Sequence, residues 1–274
     1  MPTTYNVEMA LEDIVAGETR EKVMVVSDIH LPFQDNDAVE IMKSYAKDYK
    51  PNHFVINGDL LDFYNLSDFD KHPDRKYSVM QEIVDGRNFL KDMRKTVGKH
   101  CQMYMTEGNH DARLQRYLVK NPELADFPEL KLPNLLRLKE QGIKYSGVST
   151  DYWSKDTGHF KFGDMVVLHG DNRFNGASTS AYSGYSAKNT MFKLQTSVTM
   201  GHIHRLAMVH HRTPHGQMIG LEQGCLSQIP GNANWQQGFV TFDLIDGKYT
   251  ENHRTHHINR GVLRDGDNIY YVPK

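Results

Sequence analysis

Five short apolar runs with a shared kind of ending constrain this chain more than any other feature. KVMVV (22–26) runs into Ser27-Asp28-Ile29-His30, and HFVIN (53–57) into Gly58-Asp59. QMYMT (102–106) runs into Glu107-Gly108-Asn109-His110, DMVVL (164–168) into His169-Gly170, and SVTM (197–200) into Gly201-His202-Ile203-His204. Each run is β-branched or Met-rich and about the length of a buried strand. Each stops at glycine or at a residue that can ligate a metal.

Helical patterns separate the first three runs. Residues 35–50 open on acidic cap candidates and place Ile41, Met42 and Tyr45 on one face. Residues 78–97 begin with Ser78 and Gln81 at capping-box spacing, with Val79, Ile83, Val84, Phe89 and Leu90 as candidate core. Residues 111–120 form a third helix that stops before Asn121-Pro122. Strand and helix in alternation mark an α/β architecture, in which ligands bind outside the carboxyl ends of the strands. All five polar endings fall at those ends, and we expect them on one rim of one sheet. The last third changes character: residues 205–225 and 238–252 read as two hairpins, the second around Asp246-Gly247. Residues 171–190, rich in Gly, Ser, Asn and Tyr, read as a long loop or a loop plus helix. We expect one domain over 1–274, with a core over about 22–205 completed by a β-rich part over 206–274.

Bulk properties narrow the reading without closing it. Lys plus Arg number 32 and Asp plus Glu 34, so the whole-chain charge makes no case for a nucleic-acid binder. The two cysteines, Cys101 and Cys225, form no CxxC pair and indicate neither a zinc ribbon nor a disulfide framework. The N-terminal segment lacks a basic start and an apolar centre, and no run reaches the ~18 apolar residues of a membrane span. The expectation is a cytoplasmic protein.

The endings together carry two carboxylates, one carboxamide and several imidazoles. Burying so many polar groups side by side without a metal would cost several kcal/mol of desolvation. Carboxylate with imidazole and no thiolate suits Mn, Fe or Zn better than Ca or Mg. Roughly seven candidate ligands exceed what one ion needs, which points to two divalent ions, and a carboxylate such as Asp59 can bridge them. Two such ions polarise a phosphoryl group and turn a shared water into hydroxide near neutral pH. A nearby imidazole outside the metal set can protonate the leaving alkoxide.

The ordered set Asp28-x-His30, Gly58-Asp59, Gly108-Asn109-His110-Asp111, His169 and Gly201-His202-x-His204 resembles the calcineurin-like metallophosphoesterase superfamily over about residues 22–205. The resemblance implies a four-layer α/β/β/α sandwich with a dinuclear site at the carboxyl ends of the strands. It also implies that Asp28, His30 and His204 hold one metal, that Asn109, His169 and His202 hold the other, and that Asp59 bridges. His110 is then the general acid, and Asp62 the acid that orients it. Phe63 and Asp111 stand where the Ser/Thr protein-phosphatase branch carries Arg and Glu. The layout is closer to the branch with nucleases of the Mre11/SbcD type and phage phosphoesterases.

The expected activity is therefore metal-dependent hydrolysis of phosphomono- or phosphodiesters. Manganese is the first choice of metal, with Fe, Zn and Ni as alternatives. The expected partner is a phosphoester substrate, a nucleotide or nucleic acid among the candidates, and not a membrane. A DNA/RNA nuclease of the Mre11-like type is one alternative, and a degenerate metal-binding scaffold acting through partners is another. Arg113 and Arg173 are candidate phosphate clamps, set against ordinary pairing with a nearby acid. Tyr182 and Tyr185 can stack a base or simply pack their loop. Trp153 and Trp235 are core or site rim; His210, His211, His215, His253, His256 and His257 are surface or structural; KHPDRK (71–76) is a solvated loop.

Overall fold

The computed structural model describes residues 17–71, 77–148, 158–171, 173, 176–214, 216–231 and 233–273. Trp153, His215 and all of KHPDRK except Lys71 lie outside the described residues. The apolar runs are strands. β1 (Arg20–Val26), β2 (His53–Asn57) and β3 (Gln102–Thr106) lie side by side and parallel, with Val25 opposite Val55 and Val55 opposite Tyr104. β4 (Ile143–Ser146) extends this sheet beyond β3.

The connecting helices start where the caps place them. Helix α1 (Asn36–Tyr49) is capped by Asp35, whose Oδ1 accepts the Ala38 N–H at 3.0 Å. Helix α2 (Val79–Val97) is capped by Ser78, whose Oγ accepts the Gln81 N–H at 3.0 Å. The reciprocal half of that capping box is absent, because the Gln81 amide turns to Asp85. Helix α3 (Arg113–Lys120) ends before Pro122, as the proline requires.

A second sheet holds β5 (His159–Phe162), β6 (Met165–Leu168), β7 (Ser197–Met200), β8 (Leu206–Thr213) and β9 (Gly216–Gln223), in the order β5-β6-β7-β9-β8. The two C-terminal hairpins divide between the sheets. β8 and β9 join the second; β10 (Gln237–Ile245) and β11 (Tyr249–Ile258) join the first, where β10 runs antiparallel to β1. The expectation of a single sheet rim is thus corrected. The five runs belong to two sheets, because an apolar run records burial and not which partner buries it. A short hairpin, β12 (Val262–Asp265) with β13 (Asn268–Tyr271), closes the chain.

Three apolar clusters fix the layers. Met24, Val26, Phe54, Ile56, Met103 and Met105 face α1 and α2. Val23, Val25 and Val55 turn the other way and meet Met165, Val167 and Leu221 of the second sheet. Val166, Leu168 and Val198 cover helix α4 (Tyr185–Leu194) through Ala187 and Met191. The order is helix, sheet, sheet, helix. With both faces of β1 and β2 buried, their sequences show no polar alternation. Of the 171–190 segment, residues 176–184 are a loop that leads into α4, and buried Glu222 holds the start of that helix by accepting the Gly184 and Ala187 N–H groups. Cys101 and Cys225 are buried free thiols, and burial pushes them up to about 11 and about 12. Among the described residues, no helix is long and apolar enough to cross a membrane.

Among the described leftover histidines, His256 is the one that the core takes in. It is 4% exposed, 2.7 Å from Thr241 Oγ1 and 3.3 Å from the Tyr45 hydroxyl. Burial lowers its pKa to about 4, against which the Asp265 charge works only weakly. A depressed histidine costs nothing above the unfolded pKa of about 6.5. As pH falls from there toward 4, the unfolded chain gains a proton that the folded chain refuses, so stability is lost across that window. The loss amounts to about 3 kcal/mol at most. Urea denaturation of the wild type and His256→Gln between pH 4 and 7 should show the wild type losing more stability on acidification; parallel pH profiles would refute the assignment.

Candidate metal centre

The strand tips adopt a backbone that side chains resist. Asp28 (φ 55°), His30 (φ 53°), Asp59 (φ 51°), His202 (φ 69°) and His204 (φ 55°) are all left-handed. Each such residue costs about 1–3 kcal/mol and persists only where its surroundings over-determine it. Here the tips bind one another: the Ile29 and His30 N–H groups both donate to the Asp59 carbonyl, at 3.0 and 2.9 Å, and the Leu31 N–H donates to Leu60. Two glycines are explained by close approach. A Cβ on Gly108 would lie 2.1 Å from Asp59 Oδ1, and one on Gly201 would lie 1.9 Å from Ser27 Oγ.

The ligand atoms converge. Asp28, His30 and His204 place one ligand atom each within 4.8 Å of one another, as do Asp59, His169 and His202. His204 Nε2 is 3.0 Å from Asp28 Oδ1 and 3.1 Å from His30 Nε2. His169 Nε2 is 3.1 Å from Asn109 Oδ1 and 3.3 Å from Asp59 Oδ2. Asp59 Oδ2 also lies 3.7 Å from His30 Nε2, so it stands between the two groups. All seven sequence-predicted ligands are brought together.

Each carboxylate divides its work. Asp28 Oδ2 accepts from the Ser27 hydroxyl and the His202 N–H, while Asp59 Oδ1 accepts the His110 N–H at 2.8 Å. Their other oxygens face the cage. Two imidazoles are arranged the same way: His30 Nδ1 is held by Asp62 Oδ2 at 3.1 Å and His169 Nδ1 by the Asn57 carbonyl at 2.9 Å, which turns both Nε2 atoms inward. Asp28 Oδ1 is buried yet accepts no hydrogen bond, and the ion-pair contact from His204 lacks hydrogen-bond geometry. Nitrogen and oxygen lone pairs aimed at shared points are what divalent cations fit.

The electrostatics express the same crowding. Burial opposes charge on His30 and His169, but the surrounding aspartates overcome it and lift both to about 10. Burial pushes Asp28, Asp59 and Asp62 up, and the facing histidines outweigh it and hold all three well below the usual carboxylate range. Asp111 goes the other way, raised to about 7 by burial and by the Asp59 charge. It accepts the Leu61 and Gly108 N–H groups, tying the loop after β2 to the loop after β3. That gives a structural role to the acid that follows His110.

His110 stands beside the cage, its ring 4.4 Å from that of His30. Its Nδ1 is 3.1 Å from Asp62 Oδ2, the oxygen that also holds His30. Arg113 Nη1 donates to the Asp62 carbonyl at 2.7 Å and to Asp62 Oδ1 at 3.2 Å, and its Nη2 lies 3.4 Å from His110 Nε2. Arg173 binds Asp171 Oδ2 and Glu107 Oε1. Both guanidiniums serve acids, and neither lines the cavity over the cage. Tyr182 and Tyr185 are exposed and also stand apart from it.

That cavity, about 470 Å³, is lined by His30, Asp59, Asn109, His110, His202 and His204 of the cage region. Phe33, Ser227, Gln228, Ile229, Pro230 and Trp235 complete its wall. Sequence reading left Trp235 open between core and rim, and the structure sets its ring 4.1 Å from that of His204. Residues 227–230 were missed, since Ser-Gln-Ile-Pro has no ligand chemistry to signal it. Asn57 was missed as well, and it links the two sheets through Leu168 and Gln223.

A family model described as calcineurin-like phosphoesterase matches residues 21–206. Gene 54 protein of Mycobacterium phage L5 is 27% identical over 253 residues, covering 84% of this chain and 91% of the phage protein. A metallophosphoesterase from Sphaerobacter thermophilus is 15% identical with a TM-score of 0.47, covering 88% of this chain and 89% of its own. Vps29 complexed with Zn²⁺ from Entamoeba histolytica is 11% identical with a TM-score of 0.45, covering 89% and 96%.

The cage makes a steric and a stoichiometric prediction. Calorimetric titration of chelator-treated protein with Mn²⁺ should saturate at about two ions per chain. Gly108→Ala should weaken binding at least about tenfold by displacing Asp59, with the circular dichroism unchanged. A single site, or an unaffected Gly108→Ala, would contradict the geometry.

Proposed function

The chain belongs to the calcineurin-like phosphoesterase family, and on that footing we propose that it hydrolyses phosphoesters at a cage for two divalent cations, with manganese the first candidate. The observation that carries the reading is Asp59 Oδ2 standing between two imidazole groups, with His110 beside them on Asp62. Asp28, His30 and His204 would hold one cation, Asn109, His169 and His202 the other, and Asp59 both. Bound there, the pair supplies Lewis-acid polarisation of the phosphoryl group and lowers the pKa of water.

The protein's own groups position the reaction. His110 lines the cavity with Nδ1 committed to Asp62, so a proton for the departing ester oxygen would leave from Nε2, once that nitrogen turns from Arg113 Nη2, 3.4 Å away. Asp62 fixes His30 and His110 with one oxygen, so the proton donor is set at a constant distance from the cage. Arg113, first considered as a phosphate clamp, fits a positioning role: it holds Asp62 by carbonyl and carboxylate together and is buried in doing so.

A leaving-group series tests both assignments. With Mn²⁺ present, His110→Asn should lower kcat on alkyl phosphoesters by about 10²–10⁴-fold and on 2,4-dinitrophenyl esters far less, since a good leaving group needs no proton. Arg113→Ala should follow the same leaving-group pattern at about 10–100-fold. Equal losses on both esters would remove the proton-donor role, and full activity of His110→Asn would remove the mechanism.

A further inference from the structure

The apolar wall of the cavity has no place in the chemistry of the cage. Phe33, Ile229, Pro230 and Trp235 turn apolar surface toward a site whose floor is acids and imidazoles. Ile229 is 40% exposed. Apolar side chains gathered at the rim of a polar site mark a surface that contacts something apolar.

The wall is built to a fixed distance from the floor. The Leu226 N–H donates to the carbonyl of Asp28 at 3.1 Å, and the Gln236 N–H donates to that of His204 at 2.7 Å, so both ends of the loop hang on cage residues. The Gln228 N–H donates to the Phe33 carbonyl at 2.9 Å, which ties the loop to Phe33 of the same wall. Trp235 stands edge-on to His204 at 4.1 Å. A phosphoryl group held at the cage would present its ester substituent to this wall.

Charge decides what kind of substituent fits. Among the described residues that line the cavity, none is Lys or Arg. Arg113 and Arg173 are consumed by Asp62, Glu107 and Asp171. A nucleic-acid strand draws most of its affinity from basic contacts to successive phosphates, and the described lining of this cavity offers none. Apolar and aromatic side chains instead favour a flat ring against them. Resting on the phosphoesterase reading, we propose that the substrate is a small phosphoester with a planar aromatic or heteroaromatic group close to phosphorus, held between Trp235 and Ile229.

Phosphonates test this without turnover, because their C–P bond is not hydrolysed. Calorimetry on this chain with Mn²⁺ should show phenylphosphonate binding about tenfold more tightly than methylphosphonate. Trp235→Leu and Ile229→Ser should each shrink that preference to about threefold or less. The exposed Ile229 keeps the test open if Trp235→Leu disturbs His204. Equal affinities in the wild type, no binding of phenylphosphonate, or an undiminished preference in both variants would overturn the proposal. Failure of the phosphoesterase reading shows separately, as absence of hydrolysis of any phosphoester, aryl or alkyl.

Discussion

Asn57 holds the two sheets in register at the edge where the site lies. Its side chain donates to the Leu168 carbonyl at 2.7 Å and to Gln223, accepts from Thr106 at 2.8 Å, and its carbonyl holds His169 Nδ1. The first sheet supplies Asp28, His30, Asp59 and Asn109; the second supplies His169, His202 and His204. A cage shared between two sheets needs them locked to a fraction of an ångström. Apolar packing alone, being non-directional, does not provide that. A fully satisfied buried amide does.

The tips beyond this clamp are strained, and the strain has a visible use. A strand that continued straight would send alternate side chains to opposite faces. Left-handed turns at Asp28, His30, Asp59, His202 and His204 break the alternation and gather those side chains on one point. Hydrogen bonds between neighbouring tips and the close approaches at Gly108 and Gly201 maintain the conformation.

Asp62 couples the two jobs of the site. One of its oxygens touches both His30 and His110, and Arg113 fixes the other. The ligand and the proton donor are thus set by one carboxylate, and a shift in either histidine is felt by both. The apolar wall of the cavity is coupled similarly, since its loop hangs from Asp28 and His204.

Much of this could be read from the chain alone. The strands at 53–57, 102–106 and 197–200, the caps at Asp35 and Ser78, and the seven cage residues all carry local signals: an apolar run, a capping side chain, a ligand beside a glycine. Those signals exist because burial, capping and ligation each act through one residue and its near neighbours. The division of the five runs between two sheets, the carboxylates at Glu82 and Glu222 that accept backbone N–H groups in the interior, the engagement of Arg113 and Arg173 by acids, and the wall made by Ser227, Gln228, Ile229, Pro230 and Trp235 had no such mark. Each depends on which distant segment arrives alongside, and long-range pairing is settled by the summed packing and hydrogen bonding of the whole chain.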